Sequence, residues 1–376
     1  MPGSARLQIL VDGSDMKVED KDLISFAYYE TMEGCARYKL ECNTPDWDRW
    51  DKYLTNPDSV MQIRFGYKYD TGAQKWSEWK YVDCSRARPV YYINAVSITM
   101  EGMCSGYKLN ESTAEETRTY RDKKISEIVE EIAKRNDLKS RVKATKGKFL
   151  LHQCHLSDAH FIQGVLLSKA ISTDGRVDFY FWIENGKTLV FEPPNIGSSG
   201  RKYIMQQDPT KTNPDQHIEY LDVEYRRGFL APENSGVIEV IGYDPLKKKI
   251  YTERIDDNKV QFPKLASRKP TPTKRPSRIF PVTEPGPEKY DKEDVKNSGM
   301  SIWGRNSRKL YRVTLEVPPD PTVAVAKVTT LDITDQRGRP HYTTGRYLTY
   351  AAYTVMDKGG YRTILFLERR CSEKGG

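Results

Sequence analysis

Apolar residues recur at helical spacing in two places between residues 124 and 170. The first predicted helix has an apolar face made of Ile125, Ile128, Val129, Ile132 and Ala133. Asp122 is placed to cap this helix and Asn136 to end it. A second helix is predicted from Ser157, because the side chains of Ser157 and Asp158 can bind free N–H groups of its first turn. Its apolar face consists of Phe161, Ile162, Val165, Leu166 and Ala170.

The hydrophobic pattern then changes to the two-residue period of a strand. Residues 177–184 and 187–192 are rich in β-branched and aromatic side chains, and they flank Asn185-Gly186. Asparagine and glycine tolerate the positive φ angles that a type I′ turn requires. The sequence therefore predicts a β-hairpin over residues 177–192.

The first 110 residues alternate between apolar and polar positions in one short segment after another. Residues 36–42 and 61–69 alternate most regularly. Further strands are predicted at residues 6–11, 24–29, 76–82, 91–100 and 106–109. Several short strands separated by turns indicate a sandwich or a barrel.

The last third of the chain is also dominated by predicted strands. They lie at residues 218–226, 237–243, 250–255, 310–317, 322–329, 346–355 and 361–367. Between them, residues 263–301 hold seven prolines before residue 288 and few apolar side chains, so no regular structure is predicted there. We interpret this stretch as an extended insertion in the second β region.

These segments, in this order, resemble a known family. The first helix reads I..I..EIA..N.L (residues 125–138), the second SDAHFI...LLSKA (157–170) and the hairpin F.F..ENGKTLVFEPP (179–194). Later come VIEVIGYDPLKKK (237–249) and GRYLTYAAYTVMDKGGYRTILFLER (345–369). The pattern is similar to contractile-tail baseplate hub proteins, namely the phage late control protein D type and the hub part of VgrG spikes.

The resemblance implies a mainly β fold with an α+β insert, in which two tube-like antiparallel β-barrels flank a central α+β domain. The expected domains are residues 1–118, 119–197 and 198–376, with the insertion at 263–301. Many family members carry an Ala-rich helix before the last strands, and residues 301–308 show no such pattern. The strand order of the second barrel is therefore left open.

Composition limits the possible partners. The chain has 60 basic and 52 acidic residues and a net charge of +8, which indicates a mixed surface rather than a nucleic-acid footprint. Its 24 tyrosines suit half-buried sheet faces and interfaces. The six cysteines are scattered, and no signal segment or apolar run of membrane-spanning length occurs. We expect a protein made in the host cytoplasm with reduced thiols, and no membrane insertion.

One cluster of side chains invites a metal hypothesis. His152, Cys154, His155 and His160 lie within nine residues, and imidazole and thiolate are preferred zinc ligands. On a strand, however, Cys154 and His155 should point in opposite directions. No second cluster supplies the remaining ligands, so we expect structural roles for these residues and no metal or other cofactor.

Catalytic residues are not indicated either. Neither a nucleophile elbow nor a phosphate-binding glycine loop follows a predicted strand. Glu130 and Glu131 are adjacent acids, but neighbouring helix positions diverge by about 100°, so both cannot flank one glycosidic bond. The sequence therefore predicts no catalytic, cofactor-binding or metal residues, and a protein that is not an enzyme.

A basic stretch remains to be explained. Residues 264–278 contain no acid, and their basic side chains are Lys264, Arg268, Lys269, Lys274, Arg275 and Arg278. The stretch is either a solvated loop or an arm that folds on a neighbouring subunit. Contact with nucleic acid is a third interpretation, although aromatic residues for base stacking are nearly absent.

Three functional hypotheses follow. The first is a structural baseplate hub in the virion tail: a homotrimeric ring that joins the tail tube to the central spike. Its further partners in this hypothesis are baseplate wedge proteins and the tape-measure protein, and DNA only passes through. The second is a metal-assisted cell-wall hydrolase that uses the histidine cluster. The third is a nucleic-acid-binding module that uses residues 264–278. The sequence does not distinguish a phage from a tailocin or another injection system.

Overall fold

The structure is a computed structural model. It describes residues 4–19, 21–45, 47–54, 56, 59–69, 71–111, 117–195, 201–206, 213–225, 237–244, 247–256, 279–282, 292–306, 311–335 and 337–369. Within these residues no helix has the length and apolarity needed to cross a membrane.

The first β region alternates buried and exposed side chains as predicted. Its elements are β1 Ala5–Val11, β2 Ser14–Asp15, β3 Leu23–Thr31, β4 Glu33–Gly34, β5 Arg37–Thr44, α1 Trp47–Leu54, β6 Met61–Lys68, β7 Gln74–Trp76, β8 Lys80–Tyr92 and β9 Ala95–Cys104. The predicted strand at residues 91–100 is confirmed for residues 95–100, which belong to β9, but it begins too early, because β8 turns into β9 at residues 93–94. Residues 106–109, also predicted as a strand, are helical.

The central region holds both predicted helices and the predicted hairpin. Its elements are a 3₁₀ turn Ser105–Tyr107, α2 Lys108–Glu111, β10 Arg118–Lys123, α3 Ile125–Arg135, β11 Lys139–Val142, β12 Phe149–Gln153, α4 Asp158–Phe161, a π-helical segment Ile162–Leu166, α5 Leu167–Lys169, β13 Tyr180–Glu184 and β14 Thr188–Glu192. The first helix is capped by Lys124 rather than Asp122: the Lys124 N–H donates to the Glu127 carboxylate. Asp122 has a φ of 56° and binds Lys148 instead.

The second β region follows. Its elements are β15 Lys202–Met205, a 3₁₀ turn Pro214–Gln216, β16 Tyr220–Tyr225, β17 Val237–Asp244, β18 Lys249–Asp256, β19 Ile279–Val282, α6 Lys292–Asn306, β20 Tyr311–Val317, β21 Val328–Ile333, β22 Gly345–Asp357 and β23 Gly360–Arg369. The strands predicted at residues 237–243 and 250–255 are confirmed as β17 and β18, which pair antiparallel.

The insertion at 263–301 was predicted to lack regular structure, and this is wrong in part. Strand β19 pairs with β17, and α6 covers residues 292–306. The helix shows no apolar periodicity because its contact face uses small residues: Ser298 and Ser301 are buried, and a Cβ atom on Gly299 would lie 2.6 Å from Val240. The Ser301 hydroxyl donates to the Leu167 carbonyl at 2.7 Å, which fixes α6 to the central region.

The predicted fold class is confirmed: the chain is mainly β with an α+β insert between two β-barrels, whose strands are antiparallel except that β15 pairs parallel with β21. One run of strands, β16-β20-β23-β22-β3-β5-β9-β8, passes through both barrels. The second barrel closes where β15 meets the start of β16, because the Ile218 N–H donates to the Ile204 carbonyl at 3.0 Å. The first barrel continues from β8 to β6 and β1.

The hydrophobic cores show how the parts combine. Apolar side chains of the first barrel and of the central region form one continuous cluster. The second barrel has its own core, which includes Tyr203, Leu315, Tyr347 and Leu365. A smaller cluster joins α6 to the β17–β18 hairpin through Val240, Ile255, Val295 and Trp303. The domain boundaries at 118 and 197 stay a prediction.

Candidate assembly surface

The two barrels meet where one strand changes partner. Strand β22 pairs with β21 over residues 345–348 and with β3 over residues 351–356, while β23 follows it on the other side. A bulge at Tyr350 separates the two halves of β22. We call the pairing of residues 351–356 with residues 26–31 the seam. Because the seam is a continuous hydrogen-bonded ladder, the two barrels are fixed to each other.

Tyr350 is held at the bulge by two contacts. Its carbonyl accepts the Met32 N–H at 3.0 Å, and its hydroxyl donates to the Glu33 carboxylate at 2.9 Å. Burial, followed by the nearby Glu33 charge, raises the pKa of the Tyr350 phenol well above its usual value. The tyrosine therefore stays a neutral hydrogen-bond donor at physiological pH.

Aromatic rings and acidic side chains surround the seam. The Tyr29 ring lies 6.2 Å from the rings of both Tyr353 and Phe366, in edge-on arrangements. A recess of about 430 Å³ opens beside them, and its lining includes Asp222 and Glu224 of β16. Tyrosine and phenylalanine in such a recess are the residue types that dominate protein interfaces.

The shared run of strands ends in two edges that differ in charge. Beyond residue 84, β8 pairs with no described strand other than β9, and this part carries Arg86, Arg88 and Pro89. We call residues 86–92 the basic edge. At the other end, β16 from Tyr220 to Tyr225 pairs with no described strand other than β20, and the side chains of Asp222 and Glu224 are exposed. We call this strand the acidic edge.

Both edges expose large aromatic residues. Tyr92 is 59% exposed on the basic edge and Tyr220 is 56% exposed on the acidic edge, and the turn residue Ile93 is 96% exposed. An exposed strand edge with aromatic side chains is a template for pairing with another chain.

The central region docks on the first barrel through the predicted hairpin turn. Asn185 and Gly186 have φ angles of 51° and 75°, as a type I′ turn requires. The Tyr81 N–H donates to the Asn185 carbonyl at 3.0 Å. The buried Lys80 ammonium donates to the Asn185 side chain at 2.9 Å and to Glu30 at 3.3 Å. A cavity of about 240 Å³ lies beside this contact.

A buried ionic network fixes the interior of the central region. The Asp158 side chain is fully buried and accepts hydrogen bonds from Arg135 (2.9 Å), Asn136 (2.7 Å) and Gln153 (2.8 Å). Burial alone would raise the pKa of Asp158, but the hydrogen bonds from Arg135, Gln153 and Asn136 outweigh it and lower this pKa. The carboxylate is therefore ionised and structural.

The histidine cluster considered in the sequence does not form one site. His152 lies on β12 with its ring bound to the Thr119 hydroxyl at 3.0 Å, and the His160 ring binds the Ser157 hydroxyl at 2.7 Å. His155 has a φ of 51°, and Cys154 is exposed just after the strand. In the described part of the chain, no three His, Cys, Asp or Glu side chains converge as metal ligands.

The other sequence candidates are either exposed or outside the described residues. Glu130 is exposed on α3, and Glu131 forms an ion pair with Lys123. The basic stretch at 264–278 lies outside the described residues. Sequence reasoning missed the two edges, because the register that leaves a strand half-paired depends on contacts between distant segments.

Comparisons with known proteins agree with this architecture. No protein-family model matches the chain, and no curated protein matches it in sequence. Several solved structures are similar to the chain in fold. A tail protein of Neisseria meningitidis MC58 is 10% identical with a TM-score of 0.66, and the alignment covers 97% of both chains. The 43 kDa tail protein of prophage MuSo2 from Shewanella oneidensis is 12% identical with a TM-score of 0.62, covering 98% of this chain and 99% of that one.

A component of an E. coli type VI secretion system is also similar. It is 9% identical with a TM-score of 0.55, over 96% of this chain and 77% of that chain, and is described as structurally similar to the phage T4 tail proteins gp27 and gp5. At these identities the similarity concerns the fold. The chain thus has the fold of phage tail proteins and of a related type VI secretion component.

Proposed function

We propose that the protein is a structural component of a virion tail, a baseplate hub whose three copies form a ring between the tail tube and the central spike. The observation that carries this proposal is the run of strands shared by two barrels of similar strand order. Three such chains present six barrels, which lets a threefold hub meet a sixfold tube. Similarity to tail-protein structures over nearly the whole chain supports the proposal.

The proposed ring has a channel for tape-measure protein and DNA. We assign the channel wall to the outward face of the shared run, on the side away from the barrel interiors. Ion pairs on this face join Lys39 to Glu41, Arg86 to Glu101 and Arg312 to Glu368. Pairing these basic side chains with acids lowers the affinity of the wall for phosphates, which favours passage of DNA.

The location of the basic stretch at 264–278 in the ring is also part of the proposal. We propose that it lies on the outside of the ring, because a cluster of free positive charges in the channel would bind DNA. A structure of the assembled ring with this stretch lining the channel would contradict the placement. In the proposed hub the protein is not catalytic. It functions through its interfaces with the spike, the tube and the wedge proteins.

Native mass spectrometry of the purified chain over a concentration series, alone and with its candidate spike protein, tests the proposal. One chain has a mass of 43.4 kDa, so we expect a species of three chain masses. A strict monomer in both conditions would contradict the ring. Metal analysis with His155→Ala and His160→Ala variants, and salt-dependent DNA binding, would then test the two other hypotheses.

A further inference from the structure

The two barrels repeat one arrangement of strands. In the first barrel the order is β6-β8-β9-β5-β3, and in the second it is β21-β22-β23-β20-β16, with all neighbours antiparallel. Strands β8 and β22 are both 13 residues long. Each has a bulge in the ladder to the next strand, after Cys84 in β8 and after Thr349 in β22. Strand β8 therefore corresponds to β22, and β3 to β16.

In this repeat the pairing of β22 with β3 is made inside the chain, whereas the equivalent pairing of β8 with β16 is not made within the described residues. The second half of β22 pairs with β3 in the seam. By the same rule the second half of β8, the basic edge, should pair with β16, the acidic edge. These two edges lie at opposite ends of the shared run and do not pair with each other within the described residues. A second copy of the chain offers the matching edge to each of them.

The repeat also gives the register. Aligning the two bulges makes Arg88 equivalent to Tyr353. The same register can be followed from β8 to β3 through β9 and β5, and from β22 to β16 through β23 and β20. On these two paths Tyr29 of β3 is equivalent to Glu224 of β16. In the seam Tyr353 lies opposite Tyr29. The counterpart of that pair is Arg88 opposite Glu224.

We propose that the basic edge of one subunit pairs antiparallel with the acidic edge of the next, with Arg88 opposite Glu224. The inference rests on the proposed ring and names the surfaces that close it. The register places Tyr92 opposite Tyr220, so the pairing would cover two aromatic side chains that are more than half exposed in the single chain. Opposite charges and aromatic pairs across strands each stabilise a sheet.

Strand count and residue types favour this closure over other uses of the edges. The shared run has eight strands, an even number, so alternation stays antiparallel where one copy meets the next. A head-to-tail contact of this kind closes into a ring when the rotation fits. Arginine and proline on the basic edge also discourage pairing with unsuitable edges, which is how natural proteins limit aggregation. One ladder position, Pro89, has no N–H to donate.

Charge exchange is the first test, with native mass measured across a concentration series. Arg88→Glu and Glu224→Arg should each raise the trimer dissociation constant at least tenfold, because like charges would face each other. The combined Arg88→Glu/Glu224→Arg variant should recover most of the loss. Arg37→Glu is the matched control, since Arg37 is exposed on the same face within the run and away from both edges, and should leave the trimer unchanged.

Disulfide trapping is the second test. Under mild oxidation, Arg88→Cys/Glu224→Cys should give covalent species of two and three chain masses, whereas the two single variants should not. If wild-type chains form trimers but no cross-link appears and the charge variants assemble normally, the edge pairing is wrong and the proposed ring stands. If wild-type chains never exceed one chain mass, the proposed function fails and this inference fails with it.

Discussion

At the scale of single residues, Asp158 lies in the first turn of a helix but directs its carboxylate to a different helix. Its position after Ser157 predicted a helix start, and Ser157 does cap α4, with its hydroxyl accepting the His160 N–H. The carboxylate of Asp158, however, turns inward to Arg135 at the end of the preceding helix. Two side chains 23 residues apart meet only through tertiary packing, and no local pattern encodes that meeting.

Removal of the Asp158 charge should destabilise the protein. In Asp158→Asn the Arg135 guanidinium, which is mostly buried, loses its counter-charge. Breaking one partner of a buried ion pair costs about 3 to 5 kcal/mol, so we expect a loss near the lower end in the free energy of unfolding. Urea denaturation measures this loss, with Glu130→Gln on the exposed face of α3 as the control. Equal midpoints for the two variants would contradict a structural role for Asp158.

The same pair predicts how stability depends on pH. The pKa of Asp158 is lower in the folded protein than its ordinary value of 3.8. The folded state therefore gains stability from this carboxylate at pH values above 3.8, and that gain disappears as the pH falls through the folded pKa. The difference in urea midpoint between wild type and Asp158→Asn should be constant from pH 5 to 7 and shrink below about pH 4. A difference that persists unchanged at pH 2.5 would argue against this linkage.

At the scale of elements, the sequence predicts structures that depend only on neighbouring residues, such as tight turns. The type I′ turn at Asn185-Gly186 follows from the conformational needs of the turn itself. Its use as a docking point on β8 could not be predicted, because Tyr81 lies more than a hundred residues earlier. Helix α6 was missed for the related reason that a helix packed through glycine and serine shows no hydrophobic period.

The docking role of the turn can be separated from its conformation with two glycine variants. Gly186 and Gly175 both have positive φ, at 75° and 84°, so alanine strains the backbone at either position. Only at Gly186 would the new Cβ atom meet another chain segment, since it would lie 1.9 Å from the Tyr81 carbonyl oxygen. We expect Gly186→Ala to lower the free energy of unfolding by about 2 kcal/mol more than Gly175→Ala.

Thermal or urea unfolding of both variants provides the measurement. Near-equal losses would mean that the turn does not need to approach β8 closely, and that the contact between the central region and the first barrel can open without cost.

At the scale of the whole molecule, the sequence predicted two β regions around an α+β insert but not their continuity. Alternating patterns assign faces to strands, whereas strand neighbours depend on pairing between distant segments. The seam joins residues from opposite ends of the chain, and no turn residue or periodicity marks it. The likeness of the two barrels likewise became visible only through the matching bulges.

Because the barrels share a ladder, we expect them to open together. Native-state hydrogen exchange should give the same opening free energy for protected amides in β5 of the first barrel and in β20 of the second. Both should also show the same dependence on denaturant concentration. If the amides of β20 exchange through an opening with a clearly smaller denaturant dependence than those of β5, the second barrel unfolds alone and the seam is not a mechanical joint.

The seam also implies a delay during translation between the synthesis of β3 and the synthesis of its partner strand β22. The hydrogen bond from Tyr350 to Glu33 spans 317 residues. Strand β3 therefore cannot pair with β22 until that length of chain has been synthesised. At translation rates of about 5 to 20 residues per second, the wait is roughly 15 to 60 s. During this interval β3 presents an unfilled edge of the same kind that closes subunits in the proposed ring. A nascent chain that met a neighbour on the same messenger RNA could exchange β22 with it, so crowded polysomes should favour swapped dimers over finished subunits.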